Sequence, residues 1–240
     1  MRIRKPSDER LVEKYRPKTF DDVVGQAAVI ARLRNLVARG LGGRALLFIG
    51  PSGVGKTTVA LIVARLWGCM TDEETYESVM DGSNLDIRFY KANALDQRAA
   101  DELHTSLRYR PAFHDHKIAI IDEAQSMTEG ARGSLLNIIE AAIPRYAVVI
   151  MTTTGFPTLK TQQDMFSPNT AFGSRPKRFN FEEPAPADIA ERLGVIYYLE
   201  TGEMLDPDIC RQIVKEGEGN IRACVELLED ALPVRAEKCA

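Results

Sequence analysis

The chain has 240 residues, 45% of them hydrophobic and 27% charged, with a formal net charge of −3 at pH 7. This length accommodates a large core and roughly one or two domains, so folding does not depend on disulfides or metals. The charge balance excludes a protein that binds nucleic acid through overall basicity, although a local basic patch is compatible with it.

The composition also bears on the cellular setting. No apolar run approaches the ~20 residues of a membrane span, and the charged N-terminus shows no export signal. We therefore expect a cytoplasmic protein without a membrane partner. The four cysteines form no CxxC pair, which predicts neither a zinc site nor a disulfide framework. They are Cys69, Cys210, Cys224 and Cys239.

Strands and helices alternate along most of the chain. Apolar residues recur at helical spacing over residues 27–39, and an apolar strand at 45–49 leads through a glycine-rich loop into a helix at 57–67. Further predicted strands are 87–91, 117–121, 147–151 and 179–181, with helices at 97–107 and 129–142 and connections at 70–86 and 155–175. Because the central strands are apolar without alternation, we expect a parallel sheet with helices on both faces.

The last part of the chain is predicted to be helical. Residues 187–232 show helical periodicity that is broken at Gly202, Pro207 and 217–220. This pattern indicates a small three-helix domain that follows a hinge at 182–186. We predict an α/β domain over residues 1–183 and a helical domain over 184–240.

The glycine-rich loop carries the strongest chemical signal. Residues 50–57, GPSGVGKT, match the GxxxxGK[ST] phosphate loop, with a strand before it and a helix after it. The glycines let backbone N–H groups turn toward phosphate oxygens, Lys56 can reach the β- and γ-phosphates, and Thr57 can hold Mg²⁺. A glycine-rich turn without a ligand is the alternative, but chance rarely supplies both flanking elements.

Two adjacent carboxylates follow the predicted strand at 117–121. Asp122 and Glu123 therefore lie at the carboxyl end of a buried strand, where α/β sheets bind their ligands. Asp122 would bind Mg²⁺, and Glu123 would orient and deprotonate an attacking water. Two acids in a solvated turn are the alternative interpretation.

Four other residues carry weaker signals. Thr152 and Thr153 end the strand at 147–151, where a hydroxyl can fix the attacking water or the γ-phosphate, although threonine is also a common strand residue. Arg175 follows the long loop, and an arginine there can neutralise charge on phosphoryl oxygens or simply be solvated. Arg222 is placed in the first turn of a helix capped by Asn220. A cation there opposes the helix dipole at a cost of about 0.3–1 kcal/mol, which a nearby anion would explain, although the cost is also small enough for an arginine without a ligand.

Taken together, these motifs resemble the AAA+ ATPases of the clamp-loader family, which includes bacterial DNA polymerase III gamma/tau subunits and replication factor C small subunits. The opening segment, residues 11–26 (LVEKYRPKTFDDVVGQ), is similar to the N-terminal motif of that family almost residue for residue. The resemblance spans about residues 11–232. It implies a three-layer P-loop NTPase (AAA+) domain with a parallel sheet and a small C-terminal helical lid domain.

The resemblance also implies specific roles for residues of this chain. Glu123 would be the catalytic base, Thr153 sensor 1, Arg175 a finger inserted into the neighbouring subunit's ATP site, and Arg222 sensor 2. Thr57 and Asp122 would hold Mg²⁺. The ATP contacts would come from the adenine-binding segment, the phosphate loop and sensor 2: Tyr15, Arg16, Pro17, Val23, Val24, Gly50, Ser52, Gly53, Val54, Gly55, Lys56, Thr57, Thr58 and Arg222.

Some positions depart from the family pattern. Pro176 replaces the cysteine that follows the finger arginine, residues 124–125 are Ala-Gln, and the loop before Ser174 is longer than is typical. Family members also carry a collar domain after the lid, which is not seen in this sequence. If the natural protein also lacks a collar, we expect ring assembly to rest on the AAA+ interfaces or on other subunits.

The leading hypothesis is therefore an ATP-binding and ATP-hydrolysing subunit of a sliding-clamp loader in DNA replication. ATP and Mg²⁺ are the expected ligands, and other clamp-loader subunits, a sliding clamp and primer-template DNA are the expected partners. Alternatives are another AAA+ DNA-transaction ATPase, such as a helicase motor or an initiator, or a ring subunit that binds nucleotide without hydrolysis. A small-molecule kinase would leave the lid and the N-terminal motif unexplained.

Overall fold

The computed structural model describes residues 9–68, 75–154 and 170–233. Its strands are β1 (Arg44–Ile49), β2 (Ile87–Lys91), β3 (Lys117–Asp122), β4 (Ala147–Thr153) and β5 (Lys177–Asn180). They form one parallel sheet in the order β2-β3-β4-β1-β5. The carboxyl ends of all five strands therefore lie at the same edge of the sheet.

The described residues also form helices. They are α1 (Leu11–Lys14), α2 (Ala27–Ala38), α3 (Lys56–Gly68), α4 (Thr75–Met80), α5 (Gln97–Leu107), α6 (Glu129–Glu140), α7 (Ala171–Ser174), α8 (Pro186–Thr201), α9 (Pro207–Glu216) and α10 (Ile221–Ala231). Side chains cap the N-termini of several of these helices. Asp96 accepts a hydrogen bond from the backbone of Ala99 at 2.7 Å, and Thr128 caps α6 in the same way at 3.3 Å.

The central strands of the sheet are buried on both faces, as their apolar sequences predict. Every residue of β4 is buried, and β4 pairs with both β1 and β3. One face carries Leu47, Ile121 and Met151, which share a core cluster with Leu103 of α5 and Leu135 of α6. The prediction of a three-layer α/β fold with a parallel sheet is confirmed.

The contacts divide the chain into two compact units. The sheet unit comprises residues 27–51 and 56–181, and a helical unit comprises the described residues 9–26, 52–55 and 182–233. The helical unit packs α1, α8, α9 and α10 around an apolar cluster that includes Leu193, Ile213 and Leu228. Gly202, with φ +77°, ends α8 in a left-handed conformation that suits glycine.

The N-terminal segment belongs to the helical unit, whereas the sequence prediction assigned it to the α/β domain of residues 1–183. Leu11 is only 4% exposed and lies in the helical core cluster. Its backbone N–H donates to Glu229 at 3.3 Å, and Arg10 forms an ion pair with Glu226 at 2.8 Å. This tertiary contact joins residues more than 200 positions apart, and no local sequence pattern predicts it.

Two short helices were not predicted. Helix α4 lies within the predicted connection at 70–86, and α7 lies within the predicted loop at 155–175. Neither spans two full turns, so neither shows the repeating apolar pattern of a longer helix. Most of that loop, as well as Cys69 and Cys239, lies outside the described residues. Among the described residues, no helix is long and apolar enough to span a membrane.

Candidate nucleotide-binding site

The phosphate loop joins β1 to α3, and the side chain of Lys56 hydrogen-bonds to carbonyl groups of this loop. Lys56 is 7% exposed, and its ammonium donates to the carbonyl of Gly50 at 2.7 Å and to the carbonyl of Pro51. Gly53 and Gly55 have φ values of +77° and +96°, which favour glycine. The sequence motif therefore has the backbone conformation that lets successive N–H groups face an anion.

The tip of this loop contacts the segment before α10. A Cβ atom on Gly53 would lie 1.9 Å from Oδ1 of Asn220, so the loop has no room for a side chain there. Asn220 in turn caps α10, accepting a hydrogen bond from the backbone N–H of Ala223 at 3.2 Å. The loop tip and the predicted sensor 2 segment thus meet within the helical unit.

Arg222 follows this contact in the first turn of α10. Its side chain is exposed and makes no hydrogen bond or ion pair with another residue in the described ranges. A cation in a first turn opposes the helix dipole, so an anionic ligand would stabilise this arrangement.

A group of hydroxyls surrounds Asp122 at the carboxyl end of β3. Oδ1 of Asp122 accepts hydrogen bonds from Oγ1 of Thr57 and from Oγ1 of Thr152, each at 2.6 Å. Thr57 belongs to the first turn of α3, and Thr152 belongs to β4. Carboxylate and hydroxyl oxygens suit Mg²⁺, which proteins bind through one or two carboxylates together with substrate phosphates. Thr57 and Asp122, predicted as metal ligands, therefore form a donor pair that fits this ion.

Glu123 leaves the strand through an unusual backbone conformation. It has φ +56° and ψ +48°, the left-handed region that non-glycine residues rarely occupy. Its N–H donates to Oγ1 of Thr152 at 3.0 Å, and its carbonyl accepts from Oγ1 of Ser126 at 2.6 Å. The backbone therefore changes from strand at Asp122 to a left-handed turn at Glu123.

Thr152 and Thr153 have different surroundings, although they are neighbours in β4. Both are 1% exposed. The hydroxyl of Thr152 binds both Asp122 and Glu123, whereas the Oγ1 atom of Thr153 has no hydrogen-bond partner among the described residues. A buried hydroxyl without a partner is costly unless a ligand or water satisfies it, which is compatible with the sensor role predicted for Thr153.

Sequence reasoning named Thr152 but did not foresee its contacts. Because β3 and β4 pair in register through Ile121 and Met151, the next residues of the two strands face each other. This neighbour relation depends on the strand order, and β3 and β4 are separated by a helix in the chain.

Arg175 lies at the end of α7 in the sheet unit. Its guanidinium forms an ion pair with Glu140, the last residue of α6, at 2.6 Å. Both side chains are more than two-fifths exposed. The arginine is therefore at the surface and paired within its own chain, and it does not meet the Asp122 group through any hydrogen bond of the described residues.

The predicted adenine-binding residues lie in the helical unit, half-buried. They are Tyr15, Arg16, Pro17, Val23 and Val24. The hydroxyl of Tyr15 donates to Glu200 at 2.6 Å, and the Tyr15 carbonyl accepts from Arg192 at 2.9 Å. Burial, followed by the Glu200 carboxylate, raises the pKa of the Tyr15 phenol above its ordinary value. The segment is thus fixed against α8.

Comparison with known proteins gives a family match. The model of the family described as DNA polymerase III, delta subunit, matches residues 25–162. The replication factor C small subunit of Natronomonas pharaonis is 29% identical over 92% of this chain and 61% of its own length. Replication factor C subunit 3 of Saccharomyces cerevisiae is 32% identical over 94% of this chain and 61% of its own length. The DNA polymerase III subunit tau of Bacillus subtilis is 28% identical over 94% of this chain and 40% of its own length.

Solved structures share the fold at lower identity. The Thermotoga maritima RuvB Holliday junction branch migration motor superposes with a TM-score of 0.63 at 19% identity, over 90% of this chain and 64% of its own. This likeness concerns the fold alone. The chain spans about 61% of the length of the two replication factor C relatives. Since the family model covers more than half of the sequence, the chain belongs to the DNA polymerase III delta subunit family of clamp-loader AAA+ proteins.

Proposed function

We propose that this chain is an ATP-binding and ATP-hydrolysing subunit of a sliding-clamp loader that acts in DNA replication. The observation that carries the proposal is the hydrogen bond from Oγ1 of Thr57 to Oδ1 of Asp122, 2.6 Å long, at the phosphate loop of a clamp-loader family member. A hydroxyl and a carboxylate at this position are the protein's part of a Mg²⁺–nucleotide site. The family match connects that chemistry with clamp loading.

The phosphate loop would bind the triphosphate. Backbone N–H groups of Gly53, Val54 and Gly55 would face the phosphate oxygens, and Lys56 would exchange its loop carbonyls for the β- and γ-phosphates. Gly50, Ser52 and Thr58 complete the predicted phosphate contacts. The half-buried Tyr15–Pro17 segment, with Val23 and Val24, would enclose the adenine.

Hydrolysis would depend on residues of the sheet edge. Mg²⁺, held by Thr57 and Asp122, would neutralise the charge that develops on the phosphoryl oxygens. Glu123 would orient the attacking water and accept its proton, because its carboxylate makes no hydrogen bond with another described residue. Thr153 would fix the water or the γ-phosphate through its otherwise unsatisfied hydroxyl. Arg222 would contact the γ-phosphate of the same chain.

Arg175 would act on a neighbouring subunit. Its position at the surface suits a finger that reaches an ATP site in trans. ATP would then stabilise contacts between subunits, and loss of the γ-phosphate would weaken them, since a ligand shifts an equilibrium toward the state that it binds more tightly. Other clamp-loader subunits, a sliding clamp and primer-template DNA are the proposed partners.

A different AAA+ motor on DNA is the second candidate, favoured by the fold similarity to RuvB. The family match and the replication factor C and tau relatives favour a clamp loader instead. A subunit that binds nucleotide without hydrolysing it is disfavoured, because Lys56, Asp122 and Glu123 are all present.

The test measures ATP turnover with a sliding clamp, with primed DNA, with both and with neither. A clamp loader is expected to turn over fastest when both are present. Stimulation by branched DNA that does not depend on the clamp would instead support the branch-migration motor. Lys56→Ala serves as the control, because it removes the phosphate contact and is expected to abolish turnover under every condition.

A further inference from the structure

Thr152 lies between the two acids of the candidate site and contacts both. We propose that Thr152 is a positioning residue that fixes the carboxylate of Asp122 and the backbone of Glu123 at the same time. This inference rests on the proposed function, in which Asp122 binds the metal and Glu123 acts as the base. It adds a role for a hydroxyl that is distinct from the sensor predicted at Thr153.

The first step is the hydrogen-bond geometry. Oγ1 of Thr152 donates to Oδ1 of Asp122 at 2.6 Å and accepts from the N–H of Glu123 at 3.0 Å. A hydroxyl has one hydrogen and two lone pairs, so it can make both bonds together. Since Thr152 is 1% exposed, water does not compete for either bond. The Thr152 hydroxyl therefore bridges the carboxylate of Asp122 and the backbone amide of Glu123.

The second step concerns the backbone of Glu123. Its left-handed conformation, φ +56° and ψ +48°, is unfavourable for a residue with a Cβ atom. Such a conformation persists only where surrounding bonds hold it. The bond from its N–H to Thr152 is one of these, and the bond from Ser126 to its carbonyl is another. Losing the first would let the peptide relax and would redirect the Glu123 carboxylate.

The third step separates Thr152 from its neighbour. Side chains alternate along a strand, so Thr152 and Thr153 point to opposite faces of the sheet. Met151 packs in the cluster formed with α5 and α6, and Thr153 has the same parity as Met151. Thr152 faces the side from which Thr57 of α3 reaches Asp122. Only Thr152 of the two can hold both acids in this arrangement.

The test compares Thr152→Val, which keeps the shape of the side chain but removes the hydroxyl, with Thr152→Ser, which retains it. We expect kcat for ATP hydrolysis to fall about 10–100-fold in Thr152→Val, while the Kd for ATP changes by only about twofold. Thr152→Ser should recover most of the lost kcat. Thr152→Ala provides a second variant without the hydroxyl in case the valine variant does not fold.

Amide hydrogen exchange in the nucleotide-free chain gives a readout that does not require turnover. We expect the Glu123 amide to exchange about tenfold faster in Thr152→Val and Thr152→Ala than in the wild type, and close to the wild-type rate in Thr152→Ser. Thr105→Val is the matched control, because it removes a threonine hydroxyl on the exposed side of α5 whose one hydrogen bond within the described ranges goes to the Asp101 carbonyl, at 2.9 Å. It is expected to leave both kcat and Glu123 exchange unchanged.

The outcomes distinguish this inference from the proposed function. Unchanged Glu123 exchange in Thr152→Val, or full kcat in that variant, would overturn the positioning role while an active wild type still supports the ATPase. A wild type that does not hydrolyse ATP under any condition would contradict the proposed function, and the exchange measurement would still test whether Thr152 holds Glu123.

Discussion

Asp122 and Glu123 are adjacent in the sequence, yet the structure gives them different surroundings. Asp122 accepts two hydroxyl hydrogen bonds at 2.6 Å, so its carboxylate is fixed at the end of β3. Glu123 has a left-handed backbone conformation, and its carboxylate makes no hydrogen bond or ion pair with another described residue. A fixed carboxylate suits metal binding, and a carboxylate that is free to accept a proton suits a general base.

Replacing Glu123 with glutamine should therefore separate binding from hydrolysis. We expect Glu123→Gln to lower the rate of ATP hydrolysis about 10²–10⁴-fold, because the amide cannot accept a proton from water. The Kd for a fluorescent ATP analogue should stay within about twofold of the wild-type value, since the phosphate loop is unchanged. Single-turnover hydrolysis and an equilibrium titration measure the two quantities.

Asp122→Asn is the contrasting variant. It keeps the size of the side chain but removes the charge that would hold Mg²⁺, so Mg²⁺-dependent nucleotide binding should weaken as well as turnover. If Glu123→Gln hydrolysed ATP at the wild-type rate, the assignment of Glu123 as the base would be wrong.

At the scale of elements, a buried carboxylate organises the connection between α5 and β3. Asp86, 2% exposed, accepts hydrogen bonds from the backbone N–H groups of Ala112, Phe113 and His114 at 2.7–3.0 Å. Burial raises the pKa of Asp86, but these backbone hydrogen bonds and the His114 side chain outweigh it and hold the pKa below its ordinary value of 3.8. The loop that carries the exposed Phe113 is thus built around one negative charge.

Asp86→Asn should destabilise the protein by about 2–3 kcal/mol at pH 7, because an uncharged amide binds the three N–H groups less strongly and adds donors of its own. Urea unfolding measures the difference. The exposed Asp101 provides the matched control, since Asp101→Asn should change the free energy of unfolding by less than about 0.5 kcal/mol.

The stability difference at Asp86 should also depend on pH. Because the folded-state pKa is depressed, the charge stabilises the protein fully above the ordinary pKa of 3.8 and loses this effect as the pH falls through the lower folded-state pKa. The difference in the free energy of unfolding between the wild type and Asp86→Asn should therefore narrow below about pH 4. A gap that stayed constant down to pH 2 would mean that the charge of Asp86 is not its cause.

The elements that the sequence predicted well are those with a repeating local pattern. Strand β2 and helix α5 have the predicted bounds, and the acids at 122–123 lie at the carboxyl end of a strand as expected. The features that it did not predict depend on contacts between distant segments. The bond between Thr152 and Asp122 requires β3 and β4 to be neighbours in the sheet, and the grouping of residues 9–26 with the helical unit requires Leu11 to meet α10.

At the scale of the whole molecule, the proposed function requires of each chain an ATP-binding part and a surface arginine that reaches a neighbouring subunit. Arg175 pairs with Glu140 within the chain, and both side chains are more than two-fifths exposed. An exposed ion pair contributes about 0–1 kcal/mol, so it does not prevent Arg175 from changing partner when a triphosphate of a neighbouring subunit is within reach. Assembly would then depend on nucleotide.

Mass measurement by light scattering tests this dependence. We expect the chain, alone or with its partner subunits, to form larger assemblies when a slowly hydrolysed ATP analogue is present and to dissociate when the analogue is removed, since under the proposed function ATP would bind the assembled state more tightly. A mass that does not change with nucleotide would contradict assembly through ATP.

The finger assignment is tested by mixing two inactive variants. Arg175→Ala should bind ATP normally but hydrolyse it about 10³-fold more slowly, because the charge of the transferring phosphoryl group is no longer neutralised in trans. In mixed assemblies, an Arg175→Ala chain keeps its own Glu123, and a neighbouring Glu123→Gln chain supplies the arginine. The mixture should therefore regain part of the wild-type turnover. Arg211→Ala, which removes an exposed arginine of α9, should have no effect. An inactive mixture that nevertheless assembles would show that Arg175 does not act on the adjoining site.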